Sequence, residues 1–83
     1  MPTISVSIAT ASFWPSTEEL AARDRIMAEL DTLSFGSNIG CGGGRGAVDF
    51  SYRVSDSTQA EEIIQRVIRE HVPTTTPEIR ITA

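Results

Sequence analysis

Hydrophobic residues recur along this chain with two different periods, and the switches between them mark its elements. From Thr3 to Thr10 the period is two. Ile4, Val6 and Ile8 share one face and Ser5, Ser7 and Ala9 the other, which predicts a strand with one face buried. Ala11 to Pro15 form a connection. Ser16 and Glu19 then make an S-x-x-E capping box just after Pro15, and a helix is expected to about Leu33. At roughly 100° per residue, Leu20, Ala22, Ile26, Met27, Leu30 and Leu33 gather on one side, opposite Asp24, Arg25, Ala28, Asp31 and Thr32.

After a glycine-rich stretch the period of two returns. Ala47 to Val54 sets Val48, Phe50, Tyr52 and Val54 against Asp49, Ser51 and Arg53. Asp56 and Gln59 offer a second capping pair, and a second helix is expected to about His71. Ala60, Ile63, Ile64, Val67 and Ile68 face inward there, with Glu61, Glu62, Gln65, Arg66 and Arg69 outward. Pro73 and Pro77 bracket a threonine run that cannot continue the helix. Glu78 to Thr82 then alternates once more, with Ile79 and Ile81 inward.

The segment Ser34 to Cys41 is ambiguous. Phe35 and Ile39, with glycines behind them, predict a short strand paired as a hairpin with Ala47–Val54. If the segment is only loop, three strands remain, but a structureless stretch of that length is uncommon in a small domain. The expected order is β-α-β-β-α-β, an α+β two-layer sandwich with an antiparallel sheet and two helices on one face. That order resembles the split arrangement of ferredoxin-like domains over the whole chain. No functional motif accompanies the resemblance, and fold alone does not select function.

Composition narrows the possibilities. The 83 residues hold one compact domain, residues 1–83, small enough that nearly every apolar position must be used. No apolar run approaches the ~20 residues that cross a bilayer, and the N-terminus lacks a basic and then apolar leader. The single cysteine, Cys41, has no internal partner. A protein of the reducing cytoplasm, away from membranes, is therefore expected. The seven basic residues are all arginine, and the net charge of −4 disfavours binding to nucleic acid unless an arginine patch overrides it.

All six glycines fall between Gly36 and Gly46, and the run Gly40-Cys41-Gly42-Gly43-Gly44-Arg45-Gly46 is the most unusual local feature. Converging amides at Gly42, Gly43 and Gly44, with the charge of Arg45, would suit an anion. The chain has no lysine for a phosphate loop, however. The relaxed dinucleotide pattern at Gly42, Gly44 and Ala47 opens a strand instead of a helix. A bulged hairpin turn is the plainer reading.

The uncovered sheet face should display Ser5, Ser7, Asp49, Ser51, Arg53, Glu78, Arg80 and Thr82. RNA-binding domains of the architecture it resembles stack bases on aromatics of that face, whereas Phe50 and Tyr52 are in phase with the core here. Phe13-Trp14-Pro15 lies in the first connection, where tryptophan is a frequent interface anchor. Glu19 and Arg23 are spaced for a helical ion pair, and His71 for capping or packing near a helix end. One Cys and one His give poor support for a metal or a catalytic pair. The acylphosphatase-like activity of this architecture would want an arginine cradle after the first strand, where Ala11-Ser12-Phe13-Trp14 stands.

The reading these residues favour is a non-enzymatic protein–protein interaction module without cofactor or metal. Small inhibitors, immunity or anti-defence factors and regulatory subunits are of this kind. It would bind a protein partner, or itself as a homodimer, through Phe13, Trp14, Asp49, Arg53 and Arg80. The alternative is a small-molecule or anion-binding domain that uses Gly42, Gly43, Gly44 and Arg45.

Overall fold

The computed structural model describes residues 1–33 and 35–82. Its elements are β1 (Thr3–Ala9), α1 (Thr17–Thr32), β2 (Ser37–Gly44), β3 (Ala47–Arg53), α2 (Ser57–His71) and β4 (Glu78–Thr82). The four strands form one sheet in the order β2-β3-β1-β4, every neighbouring pair antiparallel. This is the α+β, two-layer, ferredoxin-like arrangement that the periodicity predicts. Among the described residues, no helix is long and apolar enough to cross a membrane.

Both helices start where the capping residues place them. Ser16 Oγ accepts from the Glu19 amide at 3.1 Å, and Glu19 Oε1 accepts from the Ser16 amide at 2.8 Å. Asp56 does the same for α2, accepting from the Gln59 amide at 3.1 Å. The other oxygen of Glu19, Oε2, accepts from the Ala11 amide at 2.9 Å and so ties the end of β1 to the start of α1. These bonds, that from Ser16 first and that from Ala11 next, hold its carboxyl below the ordinary range.

The core lies between the sheet and the helices. Ile4, Val6 and Ile8 of β1 and Val48, Phe50 and Tyr52 of β3 are buried on one face, under Ile26 and Leu30 of α1 and Ala60, Ile64, Val67 and Ile68 of α2. Phe50 and Tyr52 therefore point toward the helices. The Tyr52 hydroxyl donates to Asp31 Oδ1 at 3.0 Å and lies 3.3 Å from the Met27 carbonyl. Burial first, and the Asp31 bond next, push its pKa up to about 12. Across the helices, His71 Nε2 meets Glu29 Oε1 at 2.9 Å.

Three local expectations differ from what is found. Gly40 to Gly44 are strand and Arg45 and Gly46 the turn: β2 occupies Ser37–Gly44, later than the segment Ser34–Cys41, and Ser34 lies outside the described residues. Glycines have no side chains to alternate, so the pattern there is silent about pairing. Ile81 faces the same side as its fully buried cross-strand partner Ile4, yet it is 45% exposed because β4 is the outermost strand. Glu19 and Arg23 do not pair with each other. Glu19 is committed to the cap, and Arg23 binds Asp24 and donates from Nη1 to the Gly42 carbonyl at 2.9 Å.

Candidate functional site

The residues with functional promise lie on the open side of the sheet and at one of its ends. The register orders that side into rows about 7 Å apart along the strands. Nearest the β2–β3 turn comes the row Gly44, Ala47 and Ala9. Gly42, Asp49, Ser7 and Glu78 follow, then Gly40, Ser51, Ser5 and Arg80, then Ser37, Arg53, Thr3 and Thr82. The acids thus share the second row and the arginines take the third and fourth, so charge is graded along the face. Between them Ser5 and Ser51 join hydroxyls at 2.9 Å. A shallow concavity of about 320 Å³ is lined by Ser5, Ser7, Asp49, Ser51, Glu78 and Arg80.

Beyond the first row stands the β1–α1 connection. Phe13 and Trp14 are 58% and 70% exposed, and their rings meet edge to face at 5.0 Å. Large apolar side chains gain about 2 kcal/mol each when fully buried, so this pair stands in water against the main driving force of folding. The loop beneath them is nevertheless held firmly. Gly46 donates to the Phe13 carbonyl at 2.7 Å, and Thr10 donates its amide to the Gly46 carbonyl at 2.8 Å. The Thr10 and Ser12 hydroxyls donate to the carbonyls of Ser12 and Trp14 at 2.7 and 3.0 Å. Trp14 also lies against Gly44, where an added Cβ would stand 3.4 Å from its ring.

The hairpin that receives this loop turns at Arg45 and Gly46, with φ of +55° and +82°. Two successive positive values define a type I′ turn, the form that matches the twist of a two-residue hairpin. Gly42, Gly43 and Gly44 pair with Asp49, Val48 and Ala47. In an antiparallel ladder, successive amides alternate between the neighbouring strand and solvent, so these three do not converge on one point. Arg45 sits at the tip, past the ladder.

Of the sequence-selected contact residues, the fold gathers Phe13 and Trp14 with the hairpin tip. Asp49, Arg53 and Arg80 share the adjoining face but occupy three different rows. The Arg80–Glu78 ion pair, 3.2 Å long, is well exposed at both ends and contributes little to stability. Two features escape sequence reasoning. Arg23 clasps β2 from the helix side, and Ile39, unpaired at a bulge between Asn38 and Gly40, is 48% exposed on the sheet edge. A helical ion-pair spacing masked the first, and the second could be read only with the register known.

Cys41 is exposed on β2, and His71 is engaged with Glu29 on the helices. Among the described residues, no three of His, Cys, Asp and Glu are grouped to hold a metal ion. Comparison of the chain with family models, with curated proteins and with solved structures returned no match.

Proposed function

We propose that this protein is a non-enzymatic binding module of the reducing cytoplasm that holds a protein partner through the Phe13–Trp14 loop and the adjoining open face. The observation that carries this reading is the combination of exposure and order at Phe13 and Trp14. Two large rings stand in water on a backbone pinned by hydrogen bonds at 2.7 to 3.0 Å. Such a loop loses little further freedom on binding, and buried aromatic anchors dominate interface energies. The face beside it sets polarity. A partner would bring an apolar pocket over Trp14, a cation toward Asp49 and Glu78, and an anion toward Arg53 and Arg80. A small inhibitor or a regulatory subunit works by contacts of this type.

The test compares affinity capture by the natural chain with capture by the Phe13→Ala/Trp14→Ala double variant, read by quantitative mass spectrometry. Both rings are surface groups, so the variant should keep the native circular dichroism spectrum. A partner retained by the natural chain and depleted at least tenfold by the variant supports the reading. Indistinguishable capture profiles sink it.

A further inference from the structure

The outer edge of β2 is the longer of the two open edges of the sheet. It runs for eight residues, Ser37 to Gly44, at the end of the sheet. Ser37 to Cys41 are all exposed, and none of the eight residues is charged or a proline. An edge strand presents a row of unpaired N–H and C=O groups, and side chains are the usual barrier to another strand approaching it. Four of the last five residues of β2 are glycine, which lack that barrier.

We infer that a second copy of this chain pairs with β2 along this edge, antiparallel and about a two-fold axis near Cys41, joining two sheets into one of eight strands. Three observations select a second copy over another occupant. First, an antiparallel edge is its own complement: under a two-fold axis each outward donor meets the acceptor of the mate. Second, the chain carries a net charge of −4, so two copies repel in general, yet none of the eight residues of this edge is charged, and the guanidinium that reaches it, that of Arg23, is paired with Asp24. Third, the exposed apolar groups stand at opposite ends of it. Trp14 lies against Gly44 at one end, and Ile39 stands exposed at the bulge near the other. Centred on Cys41, the pairing sets Gly44 of one copy beside Asn38 of the other, which brings each Trp14 end to the mate's Ile39 end. Two separate exposures become two identical covered contacts.

About seven paired residues bury less than the ~800 Å² per partner of a standard interface, and the aromatic rim adds to it. A contact below the standard size is expected to be weak and transient, so association is sought at micromolar protein concentrations.

The pairing extends the reading of the Phe13–Trp14 loop as a contact surface, and its test separates the two. Sedimentation equilibrium of the full chain should show a monomer–dimer equilibrium across the micromolar range. Gly40→Lys should make the chain monomeric, because it sets two ammonium groups beside the axis. An added side chain at Gly40 meets nothing within 4 Å, so the fold tolerates it, as its melting curve should show. A short bismaleimide should join two natural chains through Cys41, the only thiol, and Gly40→Lys should abolish that product. Trp14→Ala should weaken the dimer several-fold without abolishing it. A monomer at all concentrations overturns the inference, as does a dimer indifferent to Gly40→Lys that gives no Cys41 product. A monomer that still captures a partner through Trp14 would remove the strand pairing and leave the loop reading intact.

Discussion

The two outer strands of the sheet meet solvent on different terms. β4 is five residues long, follows directly on Pro77, and carries Glu78 and Arg80 joined at 3.2 Å. Shortness, charge and a nearby proline are the devices by which proteins keep an edge from recruiting another strand. β2 is eight residues long and has none of them. A bulge at Ile39 interrupts it, but the glycine half beyond the bulge pairs in unbroken register with β3 from Gly40 to Gly44. One edge is guarded and the other is left open, and the open one carries the hairpin that seats Trp14.

What holds β2 in place should be separable from what holds the rest of the sheet. Gly36→Ala is expected to have the largest effect, about 2–4 kcal/mol in urea denaturation, since the new Cβ would run into the Arg53 carbonyl oxygen. A loss below about 0.5 kcal/mol would show that the entry to β2 is free to shift.

Arg23→Ala should destabilise by about 1–2 kcal/mol, because the guanidinium bond to the Gly42 carbonyl is largely shielded. Hydrogen exchange should accelerate in β2 and not in β4. Arg80→Ala on the guarded edge should change stability by less than about 0.5 kcal/mol.

Tyr52→Phe should cost about 1 kcal/mol at neutral pH through the lost Asp31 bond. It should also alter the alkaline limb. The phenol's pKa rises from 10.0 to about 12 on folding, so its contribution is intact below pH 10 and lost as pH climbs toward 12. That decline should be absent from the phenylalanine variant, and a decline shared by both chains would assign it elsewhere. One substitution should be a gain: Arg45→Asn at the left-handed turn position should add about 0.5–1 kcal/mol, since asparagine tolerates positive φ there better than arginine.

Most of the frame was legible in the residues. Ile4-Val6-Ile8 and Val48-Phe50-Tyr52 alternate cleanly because each strand has one buried face. The caps at Ser16 and Asp56 are local chemistry, visible without any knowledge of the tertiary fold. The extent of β2 was not legible, because alternation is carried by side chains and Gly40 to Gly44 offers almost none. Ile81 misled for a different reason: periodicity tells which way a residue points, not whether anything stands above it. The exposure of Phe13 and Trp14 is a tertiary fact too. Nothing in the residue pattern says whether the two rings roof the sheet or stand in water; the loop that carries them is bonded to Gly46.

Trp14 is the chain's one tryptophan, and the one tyrosine is sealed in the core. Red-edge excitation therefore lights a single indole, which is already wet in the native state and stays wet when the chain unfolds. In the free monomer its emission should barely register melting, and it should move to the blue only when a partner or a second copy settles over the loop. The protein comes with a built-in optical gauge of contact, insensitive to its own stability.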